Sequence, residues 1–289
     1  MSTLACGLPN TSSVSVRDAM RWAQQQGLDR LDAQMLALLA LNRAVHDRAW
    51  LAAHDDTVLN DAQRARFQAG VERRLAQEPM AYITGVKEFF GLTLHVDARV
   101  LDPRPDTETL VDWALECMAP LTTPRVADLG TGSGAIALAL QHSRPDALVH
   151  AVDASANALA VAQANATRLN LAVRFSHGDW LAPLHGQSFD LIVSNPPYVA
   201  EGDAHLSALR HEPLSALTAG LDGLDDIRRI ARDARQHLSH NGWLLLEHGH
   251  DQADAVCALL LELGYAQVQS RTDLAGIRRC SGGQWPGMK

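Results

Sequence analysis

The chain has 289 residues, of which 47% are hydrophobic and 20% are charged. These fractions are typical of soluble globular proteins and exclude disordered or collagen-like chains. The formal net charge is −8, from 25 basic and 33 acidic residues, so the chain lacks the overall basic field that holds a nucleic-acid backbone. The length predicts one or two domains.

The four cysteines are scattered, so their spacing predicts neither a zinc site nor a disulfide framework. They are Cys6, Cys117, Cys257 and Cys280. The first six residues lack the basic start and apolar stretch of a signal peptide, and no apolar run approaches the length of a membrane span. We therefore expect a cytoplasmic protein with no membrane association.

The first third of the chain has the pattern of a small helical domain. From residue 13 to about residue 77, apolar residues recur at helical spacing and no strand-like alternation interrupts them. Ser15 and Asn60 each precede such a segment and are typical helix N-caps. This pattern predicts about four helices.

The sequence pattern changes after the helical segments, because residues 88–96 are rich in aromatic and apolar side chains around a glycine. A run this short predicts a β-hairpin. We therefore expect a helical domain over residues 1–80, a hairpin linker over 81–102, and a second domain over 103–289.

The second domain alternates between strand and helix patterns, which predicts an α/β fold with a mostly parallel sheet covered on both faces. A helical period resumes at residues 107–115. Strands are expected at residues 125–129, 147–152, 173–176, 189–194, 243–247 and 266–269. The helices between them are expected at residues 135–142, 156–169, 224–238 and 253–263.

A glycine-rich loop follows the first of these strands. Residues 126–134 read Val-Ala-Asp-Leu-Gly-Thr-Gly-Ser-Gly and lead into a helix, so a ligand can approach both the main chain and the helix N-terminus. Asp128 would repel a pyrophosphate, so a cationic ligand without phosphate fits better. The alternative is an ordinary strand-to-helix turn. The candidate ligand contacts in this loop are Asp128, Gly130, Thr131, Gly132, Ser133 and Gly134.

Acidic residues follow the next two strands. Asp153 closes the second strand, where a carboxylate can accept hydrogen bonds from both ribose hydroxyls of an adenosine. Asp179 and Trp180 follow the third strand, where the indole could pack against adenine and the acid could lie near its amino group. For this second pair, a turn and a core anchor are an equally good interpretation.

The fourth strand ends in Asn195-Pro196-Pro197-Tyr198. The prolines fix the backbone, so the Asn195 side-chain oxygen and the Pro196 carbonyl can both face one small planar donor. The ligand that fits two such acceptors is an –NH2 group. The alternative is a loop with no chemical role.

On these residues the sequence resembles S-adenosylmethionine-dependent methyltransferases that act on planar amino or amide nitrogens. It is most similar to the bacterial peptide chain release factor glutamine methyltransferase family, over about residues 31–279. Besides residues 195–198, the matching segments are residues 78–79, 82–85, 101–108, 212–213, 219–224 and 273–276.

The resemblance implies a Rossmann-like class I methyltransferase domain with a seven-stranded sheet and the cofactor S-adenosyl-L-methionine, which leaves as S-adenosyl-L-homocysteine. It implies methyl transfer to the N5 atom of the glutamine in the Gly-Gly-Gln motif of class-one release factors, modulating translation termination. Cofactor contacts would fall on residues 130–134, Asp153, Trp180 and Asn195, and the catalytic residues would be Asn195, Pro196, Pro197 and Tyr198. The helical domain would bind the release factor. The alternative is that this domain serves only folding or packing. We expect a monomer that binds no nucleic acid directly.

Two places depart from the family pattern. Asp102 stands where the family usually has isoleucine, and His248 and His250 stand where an apolar residue and a tyrosine are usual. A metal pair at the two histidines is a weaker interpretation, because no third ligand is near in sequence. The tail contains Gly282-Gly283-Gln284, the same string as the implied substrate; chance is favoured over self-methylation or autoinhibition.

Three other functions stay open. A ribosomal-protein glutamine N5-methyltransferase shares the tetrapeptide and the helical domain, although residues 104–108 favour release factors by resemblance. An adenine-N6 DNA methyltransferase needs the same –NH2 geometry but must also hold a flipped base, which the net charge of −8 disfavours. A catalytically silent cofactor-binding protein is disfavoured by the intact tetrapeptide.

Overall fold

A computed structural model describes residue 8 and residues 13–287, except for the side chains of His205 and Ser207. Cys6 and the N-terminal residues discussed above lie outside this part of the chain. The chain divides into two compact units, residues 1–86 and residues 87–289. None of the described helices combines the length and apolar character needed to cross a membrane.

The first unit is helical, as its apolar spacing predicts. Its helices are α1 (Val16–Gln25), α2 (Arg30–Ala40), α3 (Arg48–Ala53), α4 (Asp61–Leu75) and the short α5 (Met80–Thr84). Both predicted N-caps are confirmed: the Ser15 hydroxyl accepts from the Asp18 amide at 3.2 Å, and Asn60 and Gln63 form a reciprocal capping box at 2.9 Å.

The predicted hairpin consists of β1 (Val86–Phe89) and β2 (Leu92–His95). Its turn residues, Phe90 and Gly91, both have positive φ, +48° and +74°, as the twist of a two-residue hairpin requires. The domain boundaries at residues 80 and 102 remain predictions.

The second unit contains the predicted α/β sheet. Its helices are α6 (Glu108–Met118), α7 (Ala135–Ser143), α8 (Ala156–Leu169), α9 (Asp225–Ala234) and α10 (Ala253–Glu262). Its strands are β3 (Arg125–Leu129), β4 (Leu148–Asp153), β5 (Arg174–His177), β6 (Phe189–Ser194), β7 (Leu238–Glu247), β8 (Ala266–Thr272) and β9 (Arg278–Trp285).

The seven strands lie in the order β5-β4-β3-β6-β7-β9-β8. The strands from β5 to β7 run parallel, whereas β9 is antiparallel to both of its neighbours. The expectation of a mostly parallel seven-stranded sheet is therefore confirmed. Strand order reverses at β3, which lies between β4 and β6, and the crevice at the carboxyl ends of such strands is where α/β sheets bind ligands.

The assignment of residues 281–284 to a glycine-rich tail is wrong, because they lie inside β9. The alternation of strand and helix patterns predicted only six strands of this sheet. It missed β9, because apolar and polar residues do not alternate regularly in that segment. Gly282 pairs with Leu245 of β7, and a Cβ atom added at Gly282 would lie 2.5 Å from the Leu245 side chain. The Gln284 amide donates to the Asn241 carbonyl at 3.0 Å. The Gly-Gly-Gln string thus fills a position in the sheet.

A second correction concerns the segment before β7. The helix expected to reach residue 238 ends at Ala234, and Leu238 already begins β7. The first residues of β7 include Asn241, which has a φ of +62°, followed by Gly242. Both residue types are typical of turns, so the sequence pattern indicates a strand only from the apolar run that begins at Trp243.

Candidate active site

A cavity of about 410 Å³ opens at the carboxyl ends of β3, β4 and β6. Its volume lies within the range of small-molecule sites, about 300–1,000 Å³. The predicted site residues that line it are Gly130, Gly132, Asp153, Asp179, Trp180, Asn195 and Pro197. The fold thus brings together residues that are up to 67 positions apart, from 130 to 197.

The glycine loop forms one wall of this cavity. Its three glycines, Gly130, Gly132 and Gly134, have φ angles of +71°, +55° and +85°, which glycine adopts without a steric penalty. A Cβ at Gly130 would lie 3.1 Å from the Trp180 ring, whereas a Cβ at Gly132 would meet no protein atom within 4 Å. Gly132 therefore leaves open space for a ligand against the main chain.

Asp128 supports the loop from beneath. Its carboxyl is fully buried, and Oδ2 accepts from the Thr131 hydroxyl at 2.6 Å and from the Ala137 amide at 3.1 Å. Oδ1 has no hydrogen-bond partner in the described part of the chain. Burial raises the pKa of Asp128 to about 7. Its two hydrogen bonds connect the glycine loop to α7 and thereby fix the loop.

Three other residues of the glycine loop lie beneath the surface that lines the cavity. Thr131 and Ser133 are buried, and Gly134 is closely packed, since an added Cβ would lie 3.0 Å from Leu138. The residues found to line the cavity include neither these three nor Asp128. Their predicted cofactor contacts stay predictions.

Asp153 connects the loop to the end of β4. One carboxylate oxygen accepts from the Gly132 amide and the other from the Ser155 amide, both at 2.8 Å. Each carboxylate oxygen has a second lone pair. Asp153 can therefore accept hydrogen bonds from two hydroxyl groups of a ligand, while the two backbone amides hold the carboxylate in one orientation.

Trp180 and Asp179 line the cavity next to the glycine loop, together with two residues of α9 that the sequence pattern did not predict. Burial is the main cause of the raised pKa of Asp226, and the neighbouring Trp180 indole partly offsets it. Asp179 is paired with Arg229 at 2.6 Å. Both α9 residues line the cavity, but in the sequence they look like ordinary charges on a solvent-exposed helix.

The tetrapeptide after β6 supplies the polar end of the site. The Asn195 side-chain amide nitrogen donates to the Thr107 hydroxyl at 3.3 Å, which leaves Oδ1 as the acceptor for a ligand. Pro196 is buried and Pro197 lines the cavity. The Tyr198 carbonyl accepts from the Gln252 side chain at 3.0 Å, so the backbone that follows the prolines is held in place.

A buried carboxyl lies behind this tetrapeptide. Glu247, the last residue of β7, is 1% exposed, and its Oε1 atom lies 3.5 Å from the Tyr198 hydroxyl. Burial raises the pKa of Glu247 to about 7, and its Oε2 atom has no hydrogen-bond partner in the described part of the chain. The signal in the sequence is a glutamate that closes an apolar strand.

Two of the three residues that depart from the family pattern, Asp102 and His248, are buried and contact neighbouring side chains. Asp102 is buried and pairs with Lys87 at 3.0 Å and Arg104 at 3.5 Å. His248 is buried, and its Nε2 atom lies 2.7 Å from the Ser281 hydroxyl, whereas His250 is exposed. Residues 8 and 13–287 contain no group of three or more His, Cys, Asp or Glu placed to hold a metal ion.

Comparisons with known proteins find matches for both the helical region and the α/β domain. Residues 107–216 match the model of the methyltransferase small domain, and residues 18–85 match that of the PrmC N-terminal domain. A Thermus thermophilus 16S rRNA methyltransferase, solved with AdoMet and guanosine, superposes with a TM-score of 0.53 at 21% identity, covering 69% of this chain and 49% of that one. A Pyrococcus furiosus methyltransferase superposes with a TM-score of 0.52 at 20% identity, covering 75% and 98%.

The sheet order, the glycine loop and these matches define a methyltransferase with the class I fold. Similar proteins identify the family to which the chain belongs within this class. The release factor glutamine methyltransferase of Bordetella pertussis is 51% identical over 89% of this chain and 95% of its own. That of Burkholderia pseudomallei is 46% identical over 96% of this chain and 100% of its own. The chain belongs to the release factor glutamine methyltransferase family.

The buried Asp128 carboxyl makes stability depend on pH. Burial raises its pKa from the ordinary aspartate value of 3.8 to about 7, so between these values the folded state binds more protons than the unfolded state. The contribution of Asp128 to the free energy of unfolding should therefore fall as the pH rises from about 4 to 7. Asp128→Asn should remove this part of the pH dependence.

Urea unfolding of both proteins across this pH range measures the difference. Glu201→Gln, which neutralises an exposed acid, is the control and should leave the pH dependence unchanged. Parallel stability profiles for the wild type and Asp128→Asn would show that the folded-state pKa is not raised.

Proposed function

We propose that this enzyme transfers a methyl group from S-adenosylmethionine to the N5 amide nitrogen of the glutamine in the Gly-Gly-Gln motif of class-one release factors. The observation that carries the proposal is the orientation of Asn195 at the cavity, where its amide nitrogen is engaged by Thr107. Its oxygen is thereby free to accept a hydrogen bond from a substrate –NH2 group. The names of the relatives give independent support.

The residues of the cavity fit the implied cofactor. The open space over Gly132 accommodates a ligand against the main chain, Asp153 can accept two ribose hydroxyls, and the Trp180 ring offers an apolar wall. When bound, S-adenosylmethionine supplies a methyl group activated by the neighbouring sulfonium charge.

The protein must overcome the low reactivity of an amide nitrogen, whose lone pair is delocalised into the carbonyl. Asn195 Oδ1 and the Pro196 carbonyl accept hydrogen bonds from the two N–H groups of the amide, which holds the nitrogen in one orientation and favours a pyramidal geometry. Orientation of this kind can contribute about 7–11 kcal/mol. The nitrogen loses one proton to water as its new bond to carbon forms, so a strong general base is not required. Tyr198 packs against the amide plane.

A site that holds one planar amide cannot select a particular protein. The helical domain, residues 1–80, is therefore proposed to bind the release factor, with residues 81–102 as the linker and residues 103–289 as the catalytic domain. The match to the PrmC N-terminal domain over residues 18–85 supports this division. The protein is proposed to act as a monomer in the cytoplasm.

Methyl transfer to a purified release factor tests the proposal directly. With labelled S-adenosylmethionine, mass spectrometry should find one added methyl on the glutamine of the Gly-Gly-Gln peptide. Ribosomal protein and DNA are the parallel substrates. Label on either of these, with none on the release factor, would overturn the substrate assignment and leave the methyltransferase chemistry intact.

Asn195→Ala should lower kcat by about 100- to 1,000-fold, the range lost when one preorganised polar partner of the reacting group is removed. The affinity for S-adenosylmethionine should change much less, because other residues form most of the cavity. Asn157→Ala, at an exposed position of α8, is the matched control and should keep wild-type kcat. Near-normal turnover of Asn195→Ala would contradict its catalytic role.

Asp153→Ala should weaken the binding of S-adenosylmethionine by roughly 10-fold or more, since each lost hydrogen bond to a charged group is worth about 1.5–3 kcal/mol. At saturating cofactor, kcat should change less than the dissociation constant. Isothermal titration calorimetry gives the affinity, and Asp190→Asn, on β6 away from the cavity lining, serves as the control. Unchanged affinity in Asp153→Ala would refute the ribose contact.

A further inference from the structure

The backbone of the tetrapeptide at residues 195–198 has few donors with which to hold itself in place. Pro196 and Pro197 have no N–H group, so neither can donate a backbone hydrogen bond. The Pro196 carbonyl, which is proposed to accept from the substrate amide, must nevertheless keep one position relative to the Asn195 oxygen. Contacts from other segments are therefore needed to fix the end of the tetrapeptide.

The Gln252 side chain makes such a contact. Gln252 directly precedes α10, and its backbone amide donates to the Gly249 carbonyl at 3.1 Å. Its side-chain oxygen accepts from the Gly249 amide at 2.8 Å. Its side-chain nitrogen donates to the Tyr198 carbonyl at 3.0 Å and to the Asp222 carbonyl at 3.1 Å. One amide thus connects the segments that follow β6 and β7 with the loop that precedes α9.

These partners allow only one orientation of the Gln252 amide. Two carbonyl oxygens need donors and one backbone N–H group needs an acceptor, and a side-chain amide supplies two donor protons and an acceptor oxygen without a net charge. An ionised glutamate has the same shape but no donor, so it would place an oxygen against both carbonyls. The three partners therefore specify the residue type at position 252.

Gly223 shows how closely these segments approach each other. A Cβ atom at Gly223 would lie 2.1 Å from the Tyr198 carbonyl oxygen and 2.8 Å from the Gln252 side-chain nitrogen. The φ angle of Gly223 is +72°, which other residues rarely adopt. The hydrogen bond between Gln252 and Tyr198 therefore runs beside a stretch of main chain where no side chain would fit.

The groups around this hydrogen bond are themselves fixed to helices. The Asp222 carboxylate accepts from the Leu224 amide at 3.1 Å and pairs with Arg228 of α9 at 2.5 Å. The Gln252 carbonyl accepts from the Val256 amide at 3.0 Å in the first turn of α10. The amide of Gln252 thus connects the tetrapeptide to the beginnings of two helices.

We infer that Gln252 is a positioning residue for methyl transfer, which holds the Tyr198 carbonyl and, through the rigid prolines, fixes the place of the Pro196 carbonyl. This inference rests on the proposed function and names the residue that positions its second acceptor. Among the described residues, those that line the cavity do not include Gln252. Its loss should therefore affect turnover more than cofactor binding.

The Tyr198 carbonyl can be observed by itself, without any substrate. The chain has three tyrosines, of which only Tyr198 is followed by valine. Full-length protein labelled with ¹³C-carbonyl tyrosine and ¹⁵N-valine therefore gives one carbonyl–amide correlation, from Tyr198 to Val199. In Gln252→Met, which removes all three side-chain hydrogen bonds at similar length, the carbonyl signal should shift because it loses its donor. Gln163→Met, at an exposed position of α8, is the matched control and should leave the signal in place.

Kinetics with the release factor give the second measurement. A misplacement of about 1 Å at a reacting group can reduce turnover on the order of 100-fold, so Gln252→Met should lower kcat by about 10- to 100-fold. Gln252→Glu should lower it at least as much, because its carboxylate faces two carbonyl oxygens. The dissociation constant of S-adenosylmethionine, measured by calorimetry, should change less than about threefold, since an interaction made with the reacting groups acts on kcat. Gln163→Met and Gln163→Glu should keep wild-type values.

The order of the two variants separates positioning from packing. Glutamate keeps the size of glutamine and is compatible with a half-exposed position, so a role in packing alone predicts that Gln252→Glu is the milder change. A positioning role predicts the reverse, because the donors are lost in both variants and repulsion is added in one.

The outcomes also separate this inference from the proposed function. An unshifted Tyr198 carbonyl signal in Gln252→Met, or wild-type kcat in Gln252→Glu, would overturn the positioning role. If the wild type methylates ribosomal protein or DNA instead of the release factor, kcat is measured with that substrate. The same loss then supports the positioning role while the substrate assignment falls, and an unchanged kcat overturns both. If Gln252→Met does not fold, Gln252→Glu carries both measurements, because it keeps the acceptor for the Gly249 amide.

Discussion

The buried hydrogen bonds of Asp128 are the constraint on which the active site depends. This carboxyl accepts from Thr131 in the glycine loop and from Ala137 in the first turn of α7, so it fixes the loop and the helix N-terminus relative to each other. Three positive φ angles within five residues would otherwise leave this segment with many conformations, since glycine loses the most conformational freedom on folding. A defined cavity wall requires such an anchor.

The same arrangement recurs at the other end of the cavity. Glu247 closes β7 as Asp128 nearly closes β3, and both carboxyls are buried with pKa values raised to about 7. One holds the loop against which the cofactor is proposed to bind, and the other lies behind the tetrapeptide proposed to hold the substrate amide. In both places a buried acid at the carboxyl end of a strand lies against a polar group of the site, Thr131 for Asp128 and Tyr198 for Glu247.

The fold could largely be predicted because its signals are local. Helical spacing, N-caps and apolar strands each depend on a few neighbouring residues, and β3, β6 and α8 have the bounds that the pattern indicates. β9 could not be found in this way. Its two glycines are required because Leu245 of β7 and Tyr265, the residue before β8, leave no room for side chains, and no pattern of neighbouring residues shows that restriction.

The sequence by itself determined the class of chemistry, because Gly130, Gly132, Asp153 and Asn195 carry their roles in residue type and in position after a strand. Only the tertiary structure decided which groups support them. Thr107, Asp226, Arg229 and Glu247 come from three separate segments, with Asp226 and Arg229 both on α9, and have no distinctive local pattern. Their roles arise because the sheet order and the helix packing bring them to within a few ångströms of the motifs, a relation between distant segments that only folding creates.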